Sequence, residues 1–116
     1  MTLATVLAVG TGGALGAVSR YAVGTVVDSR AVDTAIVNVS GSFLFGFVLA
    51  VGLSEPVTLA LAVGFCGAFT TFSSFAVETV GLAEDGRVRA AVTNALGTLV
   101  VALGAAAGGA TFAGVL

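Results

Sequence analysis

The sequence predicts an all-α membrane protein of four transmembrane helices with the third helix broken, and three observations carry that expectation. Mean hydropathy is +1.16, 58% of the residues are hydrophobic and 9% are charged, too little polar surface to face water. Charges are absent from residues 2–19, 34–54, 56–77 and 90–116, and each run meets the length of about 18 to 20 residues needed to cross a bilayer core. Glycine, hydroxyl and aromatic residues then crowd the middle of the third run, where an ordinary span would be aliphatic.

Helix 1 is expected over about residues 3–21. Gly12 and Gly16 form a small-xxx-small step that lets another backbone approach. No basic stretch precedes this run and no small-residue cleavage site follows it, so it reads as a span and not as a secretory signal. Arg20 closes it, where a guanidinium needs a partner, a water-filled vestibule or a route to the interface. Residues 22–33, with Asp28, Arg30 and Asp33, read as a solvated loop.

Helix 2 is expected over about residues 34–53, with Thr34, Asn38, Ser42 and Gly46 recurring every four residues as one polar, small-residue stripe. Ser54, Glu55 and Pro56 form a tight hairpin, with Pro56 suited to the first position of a helix. Helix 3 is expected over about 56–78, ordinary to Gly64 and broken near 67–71, with Glu78 at its end. After the Glu84 to Arg87 turn, helix 4 is expected over about 90–112, with Thr93, Asn94, Gly97 and Thr98 in its first half and a small-xxx-small step at Gly104 and Gly108. Residues 1–116 thus read as a single four-helix domain, in which helices 2 and 3 hold most of the polar content and seven of the eight phenylalanines.

The anomaly is the run from Gly64 to Phe75, with Gly67, Thr70, Thr71, Ser73 and Ser74 at membrane depth. Unpaired backbone groups have no water to turn to there, so a break survives only where it lines a cavity. A discontinuous helix ends one half in free carbonyls, suited to a small cation, and begins the next in free N–H groups and a positive dipole end, suited to an anion. The competing reading is that the hydroxyls bond back one turn and bend an intact helix. Gly67 ahead of the run and Phe72 and Phe75 after it favour the break. A ring turned edge-on can approach an anion without trapping it, while Asn38, Thr34, Thr71 and Ser74 supply true donors. Phe43, Phe45, Phe47 and Phe112 read as packing residues.

Composition excludes other classes. There is no His and one Cys, Cys66, in an apolar stretch, so Cys/His metal clusters, disulfides and Cys/His nucleophiles are ruled out within one chain and an enzyme is not expected. Four arginines against six acids, net charge -2, offer no basic surface to nucleic acid.

Three stretches carry a family resemblance: Gly12 to Tyr21 (GGALGAVSRY), Asn38 to Phe43 (NVSGSF) and Gly64 to Phe75 (GFCGAFTTFSSF). In this order, on helices 1, 2 and 3 of a four-helix chain, they resemble the signature stretches of the CrcB/Fluc fluoride channels. The resemblance implies an antiparallel dimer with two narrow pores that lets fluoride leave the cytoplasm passively, after HF has entered and ionised there. It implies a structural, untransported sodium ion on the dimer axis, held by carbonyls matching Gly67 and Thr70. It matches the pore aromatics to Phe72 and Phe75 and the pore amide to Asn38. Thr34 begins the polar track and Arg20 falls in the vestibule; on helix 4 Thr93 aligns best with the family's hydroxyl, with its neighbour Asn94 as the alternative polar position. The chain departs from the usual pattern with Ala68 after Gly67 and with Ser74 where threonine is common.

Arg30, Arg87 and Arg89 fall in loops that share one side, which the positive-inside rule makes cytoplasmic. That bias leaves two partners open, a second copy or an oppositely oriented homologue. The rival function is a small four-helix proton-coupled multidrug exporter, which requires a carboxylate within the membrane. Helix 1 has none, and Glu78 is expected only at a helix end.

Overall fold

The computed structural model describes residues 1–116. Helix α1 is Leu3–Val26 and α2 is Arg30–Ala50. Helix α3 covers residues 55–69, α4 is Phe72–Glu84 and α5 is Val88–Gly114. Helices α3 and α4 together make the third of four spans, Glu55–Glu84, and all four are long and apolar enough to cross a membrane.

The helices run further than the charge pattern suggests, because the charged residues expected in loops serve as helix ends. Ser29 caps α2 by accepting the Val32 N–H, and Asp33 falls in the first turn, where a carboxylate offsets the positive helix end. Only residues 27–29 of the expected 22–33 loop stay outside a helix. At the other end α2 stops at Ala50 and not 53, since Gly52 turns the chain with φ of 80°. Past residue 78, α4 continues to Glu84, which puts Glu78 inside the helix and not at its end. Gly86, with φ of 77°, makes the turn into α5, which spans Val88–Gly114 and not 90–112.

The first half of α3 also departs from expectation. After a turn of α-helix at Glu55–Thr58, residues Leu59–Cys66 are π-helical, and Gly67–Phe69 returns to α geometry. The reason lies in α1: Gly12 sits against the Ala60 carbonyl and Gly16 against the Phe65 carbonyl, each so close that a Cβ would strike the oxygen. Residues five apart on α3 thereby face glycines four apart on α1, and a register with more residues per turn reconciles the spacings.

The other large contact is α2 against α5. Here Gly46 packs on the carbonyl of Ala106, and Gly109 on that of Phe43. The Phe112 ring lies near Phe47 and Phe43, at centroid distances of 5.9 and 6.1 Å, as packing residues do. The expected step at Gly104 and Gly108 is not the contact: nothing lies near Gly104, and Gly108 meets only the edge of Phe43. Gly109→Ala is therefore expected to force α2 and α5 apart at a cost of about 1–3 kcal/mol. Thermal unfolding in detergent should show a lowered midpoint for Gly109→Ala and none for Gly104→Ala.

Candidate functional site

The site is built around two residues of extended backbone in the third span. The hydroxyl and the N–H of Thr70 both donate to the Cys66 carbonyl, at 2.8 and 3.0 Å, which ends α3. Thr70 then takes ψ of 164°, and Thr71 takes φ of -143° and ψ of 121° before α4 begins at Phe72.

Asn38 on α2 holds this segment from the side. The Thr71 N–H donates to Asn38 Oδ1 at 2.7 Å, and Asn38 Nδ2 donates to the Thr71 carbonyl at 2.9 Å. Because a backbone N–H can only donate, the orientation of the Asn38 amide is fixed, and one Nδ2 hydrogen is left for another acceptor. The Thr71 hydroxyl caps α4 by accepting the Ser74 N–H at 3.2 Å. In a continuous helix these two N–H groups would go to the carbonyls of Gly67 and Thr70. Both carbonyls thus lose their helical donors, while the N-terminal end of α4 faces the same gap.

A cleft of about 390 Å³ opens on this segment. Asn38, Ser42, Thr70, Thr71, Phe72 and Phe75 form one side, and Ala95, Thr98, Leu99 and Ala102 of α5 form the other. The Phe72 and Phe75 rings lie 5.8 Å apart with planes at 50°, and Phe72 is 79% exposed. A neighbouring cleft of about 410 Å³ includes Gly67, Cys66 and, again, Thr70.

Of the residues singled out in the sequence, Asn38, Thr70, Thr71, Phe72 and Phe75 meet in the first cleft. Ser74 stands behind it, its hydroxyl 3.3 Å from that of Thr71. Thr34 is buried one turn before Asn38 and donates to Glu78 Oε1 at 2.8 Å. Arg20 pairs with both carboxylate oxygens of Asp33, at 2.8 and 3.0 Å, so of its three possible fates it takes a protein partner. Thr93 is exposed and lies beside a separate cavity with Arg87, Arg89 and Asn94. Thr70 spends its hydroxyl on a carbonyl one turn earlier, the back-bonding of the competing reading.

Thr98 and Asp33 were not among the expected site residues: in the sequence Thr98 reads only as a polar residue of helix 4 and Asp33 only as a loop charge. Ala95, Thr98, Leu99 and Ala102 follow the i, i+3, i+4, i+7 spacing of one helix face, which was available as a signal. Asp33 gave no local signal, because its role depends on α2 beginning at Arg30. Every buried side-chain polar atom has a hydrogen-bond partner.

Residues 7–110 match the family model described as CrcB-like protein, Camphor Resistance. Among similar proteins is the fluoride-specific ion channel FluC 2 of Natronomonas pharaonis, 63% identical over 103 residues that cover 89% of each chain. The fluoride-specific ion channel FluC 2 of Haloarcula marismortui is 45% identical, covering 82% of each chain. Its namesake in Rhodococcus jostii is 44% identical, covering 88% of this chain and 92% of the relative.

Proposed function

The chain belongs to the CrcB family, and from that premise we propose that it is a fluoride-specific ion channel of the cell membrane, which lets fluoride leave the cytoplasm passively and is no enzyme. The observation that carries the reading is the cleft at Thr70 and Thr71, where two phenylalanine rings, a helix N-terminal end and an amide hydrogen converge within a membrane span. These groups suit an anion that must shed water and still leave. Phe72 and Phe75 offer weakly attractive edges, while Asn38, Thr71 and the α4 terminus offer stronger donors.

Thr34, Asn38 and Ser42 stand a turn apart on α2 and form the polar track, with Ser74 supporting Thr71 and Thr93 and Arg20 nearer its ends. The third span is read as a discontinuous helix, and the chain as half of an antiparallel dimer, with itself or with an oppositely oriented homologue. The open cleft and the largely exposed Phe72 support a partner surface there. The carbonyls of Gly67 and Thr70 fit a structural sodium ion: they are neutral oxygens without their helical donors, and no cluster of three or more His, Cys, Asp or Glu competes. Bound there, sodium would supply positive charge to offset the negative carbonyl end of α3.

Glu78 is a carboxylate within the third span, which is what the exporter reading lacked. It is already engaged with Thr34, and the family match favours the channel. The test is fluoride release from liposomes containing the purified chain, read by a fluoride electrode with chloride as control. Release of fluoride and not chloride is the expected result. No release, alone or after co-expression with an oppositely oriented homologue, would overturn the reading.

A further inference from the structure

The two ring-bearing residues of the cleft belong to α4, and α4 is tied to α5 by a single side-chain hydrogen bond. Asn94 Nδ2 on α5 donates to Thr79 Oγ1 at 2.9 Å. The Thr79 hydroxyl in turn donates to the carbonyl of Phe75, at 2.8 Å. In this arrangement the amide nitrogen donates to the hydroxyl oxygen, and the hydroxyl's one hydrogen goes to Phe75. The relay therefore runs without a gap from α5 to the backbone of a residue whose ring lines the cleft.

Neighbouring residues give the relay something to set. Asn94 immediately precedes Ala95, the first residue of the α5 wall that faces Phe72 and Phe75 across the cleft. A hydroxyl bonded to the carbonyl one turn back bends a helix and fixes its own rotamer, and the bond from Asn94 holds that hydroxyl against α5. Both groups are partly buried in spans, so the bond has little water to compete with it. We propose that Asn94 and Thr79 are positioning residues for the fluoride path: they fix the distance between the Phe75 side of the cleft and the α5 wall, and so tune anion selectivity without touching the ion. The inference rests on the channel reading.

Four variants test it in liposomes: Thr79→Val, Asn94→Leu, their combination, and Thr79→Ser, which retains the relay. Thr79→Val and Asn94→Leu are each expected to slow fluoride release by about threefold to tenfold, the worth of one hydrogen bond, and to lower the ratio of fluoride to chloride release. The double variant should be no slower than the slower single one, as for two members of one interaction. Thr79→Ser should keep the wild-type selectivity. Wild-type rates and selectivity in both single variants, or effects that multiply in the double one, would overturn the proposal. Amide hydrogen exchange in detergent separates its failure from that of the channel reading, since it needs no ion flux. Faster exchange confined to residues 72–79 in Asn94→Leu supports the relay, and unchanged exchange there refutes it whether or not the wild type conducts.

Discussion

Phe72→Ile is expected to give a folded protein whose fluoride release from liposomes is slower by about tenfold or more, the effect of a barrier raised by roughly 1.5 kcal/mol. The fold should survive because Phe72 is 79% exposed in the single chain and supports little of its packing. What the substitution removes is the positive ring edge. Isoleucine is of comparable apolarity, so it keeps the cleft dry and withdraws the attraction that this ring's edge offers an anion. The loss should therefore appear in rate and not in the thermal midpoint. Phe112→Ile supplies the contrast, because that ring packs between α2 and α5 against Phe43 and Phe47, away from the cleft. It should lower the midpoint and leave the conduction of the folded fraction unchanged. Wild-type release by Phe72→Ile would remove that ring from the mechanism.

The contrast between these two rings also separates what could be read in the sequence from what could not. Four spans follow from the spacing of charges alone, and Phe72 and Phe75 stand out from the other phenylalanines by the glycine and hydroxyl residues before them. The extended backbone at Thr70 and Thr71 falls inside that stretch. Contacts between distant residues were another matter. The pairing of Arg20 with Asp33 crosses a connector that looked like a solvated loop, and it became possible only when Ser29 capped α2 a turn early. The π-helical register of Leu59–Cys66 has no local cause, since it answers the glycine spacing on α1. Glu78 looked terminal because charges usually mark the end of a span, yet Thr34 gives it a partner inside one. Asn38 was legible as a polar residue on a stripe, but its preference for the Thr71 backbone depends on a residue 33 positions away.

That double bond to Thr71 makes Asn38→Leu the second variant with a large expected effect. Leucine fills a similar volume and leaves the N–H and the carbonyl of Thr71 without the partner that now satisfies both. Each unpaired group within the membrane costs about 1–3 kcal/mol, so a marked fall in thermal midpoint should accompany loss of fluoride release. Asn38→Asp divides the two roles. Its carboxylate still accepts the Thr71 N–H but cannot donate to the carbonyl, and it brings a negative charge to the cleft through which an anion must pass. Asn38→Asp should keep more of the stability than Asn38→Leu and yet conduct no better. If Asn38→Asp conducts at the wild-type rate, the amide does not face the ion. If Asn38→Leu unfolds at the wild-type midpoint, Thr71 finds its hydrogen bonds elsewhere, and the segment is held by the Thr70 and Thr71 hydroxyls alone.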